Sequence, residues 1–224
     1  MSKLIVSGCS YSADYAAFSG IPTHPLYSHM LASDRSMEHI NLAVVGNDNK
    51  TIFEDALDHI DDHVGLLVVQ WSEFYRVYKT KDELAILGKV HADSMTTLDE
   101  FCRYAYWIQE VCEGKGIPYI QFMGPEPWSS GYEEIADGWK KVSLYDVGKY
   151  MMSNKYYQFI NSNFLGWPIM RGLGGWSIDD YFEKAAGKKN NEFIYEYPTD
   201  FHPNKLGHLK IRLLLDEHYK KNYN

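Results

Sequence analysis

Short apolar runs alternate with helical stretches along the first half of this chain, and that alternation leaves few folds open. Lys3–Ser7 is an apolar run that ends at Gly8, as a buried strand does. Glu38–Leu42 reads as a second short strand ended by the Gly46–Asn49 turn, and Leu66–Gln70 and Ile117–Phe122 give two more strands. Segments with helical spacing lie between them. Pro25–Ala32 predicts a helix with Thr23 as its cap. Thr51–His63 puts Ile52, Ala56, Leu57 and Ile60 on one face, with Asn49 as N-cap. Thr97–Glu113 carries the stripe Phe101, Ala105, Ile108, Cys112, and Asn204–Tyr219 predicts a last helix. Strands separated by helices form right-handed βαβ units. The expectation is therefore an α/β chain: a three-layer α/β/α sandwich around a short, mostly parallel sheet.

The 224 residues suit one such domain, spanning 1–224. Two stretches interrupt the alternation, 73–95 and 124–197, and are read as a lid or substrate wall. Four of the six Trp fall in the second: Trp128, Trp139, Trp167 and Trp176. Aromatic residues make up 15% of the chain, more than a core of this size needs, so a ring-lined cleft is expected. The formal net charge of −8 disfavours a binder of bulk nucleic acid, which needs a cationic footprint. No run of about 18 apolar residues predicts a membrane span, and the apolar N-terminal run is too short for a signal peptide. Cys9, Cys102 and Cys112 show no CxxC spacing, which points to a reducing compartment. A cytoplasmic location is the expectation.

Parallel sheets hold their chemistry at the carboxyl ends of the strands, so the residues just after each strand are the ones to read. Gly8-Cys9-Ser10-Tyr11-Ser12 follows the first strand; its serine is a candidate nucleophile, or the small residues only make a turn. Gly46-Asn47-Asp48-Asn49 follows the second; its glycine lets the backbone approach a ligand, or merely turns into a helix cap. Asp200-Phe201-His202-Pro203 precedes the last helix. Residues i and i+2 of an extended segment project to one side, so Asp200 reaches the His202 ring and fixes its tautomer. The competing reading makes Asp200 the cap of that helix.

The three blocks together, in this order, resemble those of the SGNH (GDSL-type) hydrolases. The Gly-Asp-Ser block is similar to Gly8-Cys9-Ser10, the second-block glycine to Gly46, and the last block to Asp200-Phe201-His202-Pro203. The third block departs: where the family has Gly-x-Asn-Asp, this chain reads Gln70-Trp71-Ser72-Glu73. The last block also has one residue between Asp and His where two are commonest. The resemblance implies the flavodoxin-like SGNH hydrolase fold and a serine esterase needing no cofactor. It implies Ser10 as nucleophile, His202 as base and Asp200 as its orienter. The oxyanion hole would use the N–H groups of Ser10 and Gly46, with Ser72 or Gln70 as third donor. The substrate would be a small-molecule or saccharide ester, an O-acetyl sugar being one such ester. Trp71, Arg76 and Trp176 are weaker candidates for substrate contact.

Other classes remain open at this point. His59 and His63 stand at i and i+4, but no third zinc ligand is indicated. A flavodoxin-like module would use the hydroxyls of Ser7, Ser10 and Ser12 to cradle a phosphate and aromatic rings to sandwich a flavin. An SGNH-like scaffold that binds its ligand without turnover is the third reading, motivated by the altered third block.

Overall fold

The computed structural model describes residues 1–74, 94–127, 144–187, 192–195 and 200–223. Among the described residues five strands form one sheet: β1 (Lys3–Ser7), β2 (Glu38–Asn41), β3 (Val64–Trp71), β4 (Tyr119–Met123) and β5 (Phe164–Leu165). Their order is β2-β1-β3-β4-β5, and all four pairings are parallel. The four expected strands are present, each within about two residues of its expected ends. β5 was not expected; it is only two residues long and docks Phe164 and Leu165 beside Gln121 and Phe122.

The helices are α1 (Tyr15–Ser19), α2 (Tyr27–Asp34), α3 (Asn49–Asp58), α4 (Ser94–Lys115), α5 (Leu144–Ser153), α6 (Ile178–Ala186) and α7 (Lys205–Tyr223). Alternate residues of the strands feed two separate cores, as the period-two pleat requires. Ile5, Leu67 and Val69 face Ile52, Phe53, Phe101, Ala105 and Ile108 of α3 and α4. Leu4, Val6, Leu66, Val68, Ile120 and Phe122 face Tyr27, Leu31, Phe182 and Ile211 of α2, α6 and α7. This is the expected three-layer sandwich.

Several local expectations need correcting. Asp48, not Asn49, caps α3: its Oδ1 accepts the Thr51 N–H at 2.7 Å. Leu26, not Thr23, precedes α2, without a side-chain cap. α3 stops at Asp58, so His59 and His63 do not share a helix face. Among the described residues no group of three potential metal ligands occurs, and no helix is long and apolar enough to cross a membrane.

The chain runs from β1 to an edge strand at β2 and then crosses to β3 on the other side of β1. The strand order therefore reverses at β1, and in sheets of this kind the crevice that holds a ligand lies beyond the carboxyl ends of the strands at such a point, here β1 and β3. The Ser10, Gly46 and Ser72 segments all leave the sheet at that end.

Candidate active site

The turn after β1 is tightly built. The N–H groups of Ser12 and Ala13 both donate to the Cys9 carbonyl, at 2.9 and 3.0 Å. Ser10 lies within this turn and is 5% exposed; its hydroxyl has the Cys9 sulfur at 3.9 Å. Three amide side chains brace the turn. Gln70 Oε1 accepts the Cys9 N–H at 2.9 Å, Asn47 Nδ2 donates to the Gly8 carbonyl at 3.3 Å, and Asn41 Nδ2 donates to the Ser12 carbonyl at 2.9 Å. Gly8 is needed here, because a Cβ would fall 2.9 Å from Gln70 Oε1. The neighbouring hydroxyls are engaged elsewhere: Ser7 donates to the Ile52 carbonyl at 2.7 Å, and Ser12 pairs with Tyr27 Oη at 2.6 Å. Both serines are fully buried, so the open cradle of hydroxyls that a phosphate would need is not formed.

Gly46 adopts φ +91°, in the left-handed region that favours glycine, and this turns the chain from β2 into α3. Three residues on, Asn49 reaches across to the end of β3. Its Oδ1 accepts the Ser72 N–H at 2.8 Å, and its Nδ2 donates to the Ser72 carbonyl at 3.1 Å. The third-block side chains are already partnered. Ser72 Oγ donates to Glu73 Oε2 at 2.9 Å. Gln70 Nε2 donates to the Trp71 carbonyl at 2.5 Å and approaches the Cys9 sulfur at 3.2 Å. Trp71 is corrected from substrate contact to core residue. It is fully buried, donates from Nε1 to Gln121 Oε1 at 3.0 Å and meets Phe101 edge to face.

Asp200 and His202 form a tight pair. Asp200 Oδ1 receives both the ring Nδ1–H and the backbone N–H of His202, each at 2.9 Å. Asp200 Oδ2 receives the Tyr15 hydroxyl at 3.0 Å. Burial alone would raise the Asp200 carboxyl, but the His202 and Tyr15 donors outweigh it and hold it below the usual carboxylate range. An ionised Asp200 accepting from Nδ1–H fixes the tautomer and leaves the ring's lone pair on Nε2. The reading of Asp200 as a helix cap fails: Asn204 Oδ1 takes the Leu206 and Gly207 N–H groups at 2.9 and 3.0 Å.

Two tyrosines from the β1 turn and α1 hold this pair. Tyr15 stacks on the His202 ring at 3.6 Å and 12°. The Tyr11 ring lies 5.8 Å from that of His202, and Tyr11 Oη lies 3.0 Å from the Phe201 carbonyl oxygen. The residue next to Ser10 thus touches the residue next to His202. Tyr11 Oη is also 2.6 Å from Asp179 Oδ1, at the start of α6. Sequence reasoning missed Tyr11, Tyr15 and Asp179; the aromatic excess was the one signal pointing toward the two tyrosines.

The other candidates lie apart. Trp176 is half-buried, packs on Tyr181 at 5.6 Å and lines a groove with Lys184 and Lys210, not with Ser10 or His202. Arg76, Trp128 and Trp139 lie outside the described residues. A cavity of about 560 Å³ opens beside α6, lined by Glu126, Met152, Ile169, Met170 and Leu173 among others. It adjoins the site through Glu126, whose N–H donates to Asp179 Oδ2 at 3.1 Å.

No protein-family model and no curated protein sequence matches the chain. Solved structures do. A GDSL-like lipase from Bacteroides thetaiotaomicron superposes with a TM-score of 0.51 at 10% identity, over 98% of this chain and 88% of that one. TesA superposes with a TM-score of 0.50 at 13% identity, over 98% of each chain. The chain has the SGNH hydrolase fold. In that fold the Ser10 turn, the Gly46 turn and the Asp200–His202 segment stand at the same end of the sheet, with the Gln70–Glu73 stretch at the end of β3, on the other side of β1 from β2.

Proposed function

We propose that this chain is a serine esterase acting through Ser10, His202 and Asp200. The observation that supports it most is the Asp200–His202 pair, with one tautomer fixed and its segment joined through Tyr11 to the turn that carries Ser10. In this reading Ser10 Oγ attacks the acyl carbonyl while His202 Nε2 takes its proton. His202 then returns the proton to the leaving alcohol, and water repeats the sequence to release the acid. Asp200 orients the ring and stabilises the imidazolium. The N–H groups of Ser10 and Gly46 hold the oxyanion. The side chains of Ser72 and Gln70, already bonded to Glu73 and to Cys9 and Trp71, add little. Losing a third donor costs about 10²–10³ in rate, so the enzyme is slow. The substrate is a small ester, with an O-acetyl group on a saccharide as the working choice.

The test is p-nitrophenyl acetate hydrolysis by the native chain and by Ser10→Ala, with fluorophosphonate labelling. Activity that falls by at least about 10³-fold in the variant, with the label on Ser10, is the expected outcome. Equal rates and an unlabelled Ser10 would remove the proposal. Binding of an ester without turnover would then favour the scaffold reading, which the engaged Ser72 and Gln70 side chains motivate.

A further inference from the structure

Three segments distant in sequence meet at the Tyr11 hydroxyl. Its oxygen lies 2.6 Å from Asp179 Oδ1 and 3.0 Å from the Phe201 carbonyl, across sequence separations of 168 and 190 residues. Tyr11 is 3% exposed. A tyrosine has one hydroxyl proton, and both neighbours are acceptors when Asp179 is ionised. One of the two short contacts is then left without a hydrogen inside the protein, which is costly. A neutral Asp179 resolves the count. Its carboxyl donates to Tyr11 Oη, and the Tyr11 hydroxyl is free to donate to the Phe201 carbonyl.

We infer that Tyr11 and Asp179 are positioning residues for the Ser10–His202 pair, neutral Asp179 directing the Tyr11 hydroxyl onto the Phe201 carbonyl and so holding the Asp200–His202 segment against the Ser10 turn. This rests on the esterase reading above. The other side of the segment is already anchored. The His202 carbonyl accepts the Tyr195 N–H at 3.0 Å, and Pro203 bridges to Ile194. Tyr11 supplies the tie toward the nucleophile. Ionisation of Asp179 would draw the Tyr11 proton to the carboxylate and release that tie.

The surroundings favour the neutral acid. Burial pushes the Asp179 carboxyl up to about 7; the charges of Glu126 and Asp180 raise it further, while the bonds from Tyr11 and the Glu126 N–H oppose the rise. Glu73 acts on Tyr11 from the end of β3, and His202 faces it from the loop before α7. Arg171 faces the neighbouring carboxylates Asp180 and Glu126. A proton held more tightly in the folded state means that the latch is closed below about pH 7 and opens as pH rises through that value.

The experiment is the pH profile of kcat and KM on p-nitrophenyl acetate for the native chain, Tyr11→Phe and Asp179→Asn. The native profile should fall above about pH 7, as the latch opens. Asp179→Asn keeps a donor toward Tyr11 at every pH, so the ratio of its rates at pH 8.5 and 6.5 should exceed the native ratio at least about threefold. Tyr11→Phe should lower kcat about tenfold with KM within about twofold, because misplacement of the base acts on the chemical step. A native profile without the falling limb, or an Asp179→Asn profile that matches the native one, would overturn the inference. Failure of the esterase reading is seen separately, by an unlabelled Ser10. The latch is then read without activity, from the His202 ring resonances in an NMR titration. Two inflections in the native chain and one in Asp179→Asn support it; a single inflection in both removes it.

Discussion

At Asp200 each carboxylate oxygen has a donor aimed at it: two from His202 and one from Tyr15. At the other side of the crevice, the Ser72 hydroxyl turns to its own neighbour Glu73, and the Gln70 amide is bonded beneath the Ser10 turn. The Asp200–His202 side thus gathers three donors onto one carboxylate, while the Gln70–Ser72 side holds the backbone. The two sides share one fold and differ in what their side chains are spent on. Gln70 fills the floor under Cys9, and Gly8 makes room for it. Asn49 fixes the Ser72 backbone from the Gly46 side of the crevice.

The comparison breaks first at Asp200. Asp200→Ala removes the acceptor of Nδ1–H and the charge that stabilises the imidazolium, so kcat should fall about 10³–10⁴-fold. A loss under about tenfold in steady-state kinetics would mean that this pair is structural. Gln70→Leu tests the opposite side. It leaves the buried Cys9 N–H without an acceptor, which should cost about 2–3 kcal/mol, read as a lower midpoint in urea. If stability is unchanged, the amide is not what holds the turn.

The legible parts of the molecule were those written locally. The runs Leu4–Val6 and Leu66–Val69 are fully buried and read as strands at sight, because a parallel sheet covered on both faces takes continuous apolar sequence. The placement of Ser10 and Gly46 in turns after strands, and the Asp200–His202 contact, were legible because their spacing to a strand or to each other is short. β5 was not, since two residues carry no period. α6 offered a local signal that went unread: Ser177 and Asp180 form a capping box ahead of Ile178–Ala186. Trp71 was misread because its place after the apolar run suggested a crevice residue, whereas β3 extends through it and the pleat turns its ring inward. Tyr11, Tyr15 and Asp179 could not be paired from sequence, because their partners lie more than 160 residues away.

The smallest effect is the sharpest discriminator between the two sides. Ser72 stands where the family's asparagine would donate to the oxyanion, yet its hydroxyl already donates to Glu73 at 2.9 Å. Ser72→Ala removes that hydroxyl and nothing from the backbone clamp, since Asn49 binds backbone groups alone: the Ser72 N–H and carbonyl and the Glu73 carbonyl. If the oxyanion is held by the N–H groups of Ser10 and Gly46 alone, kcat should stay within about threefold of native. A working third donor would cost about 10²-fold or more on removal. That larger loss would show that the hydroxyl leaves Glu73 when substrate binds, and the two sides of the crevice would then be equally committed to the chemistry.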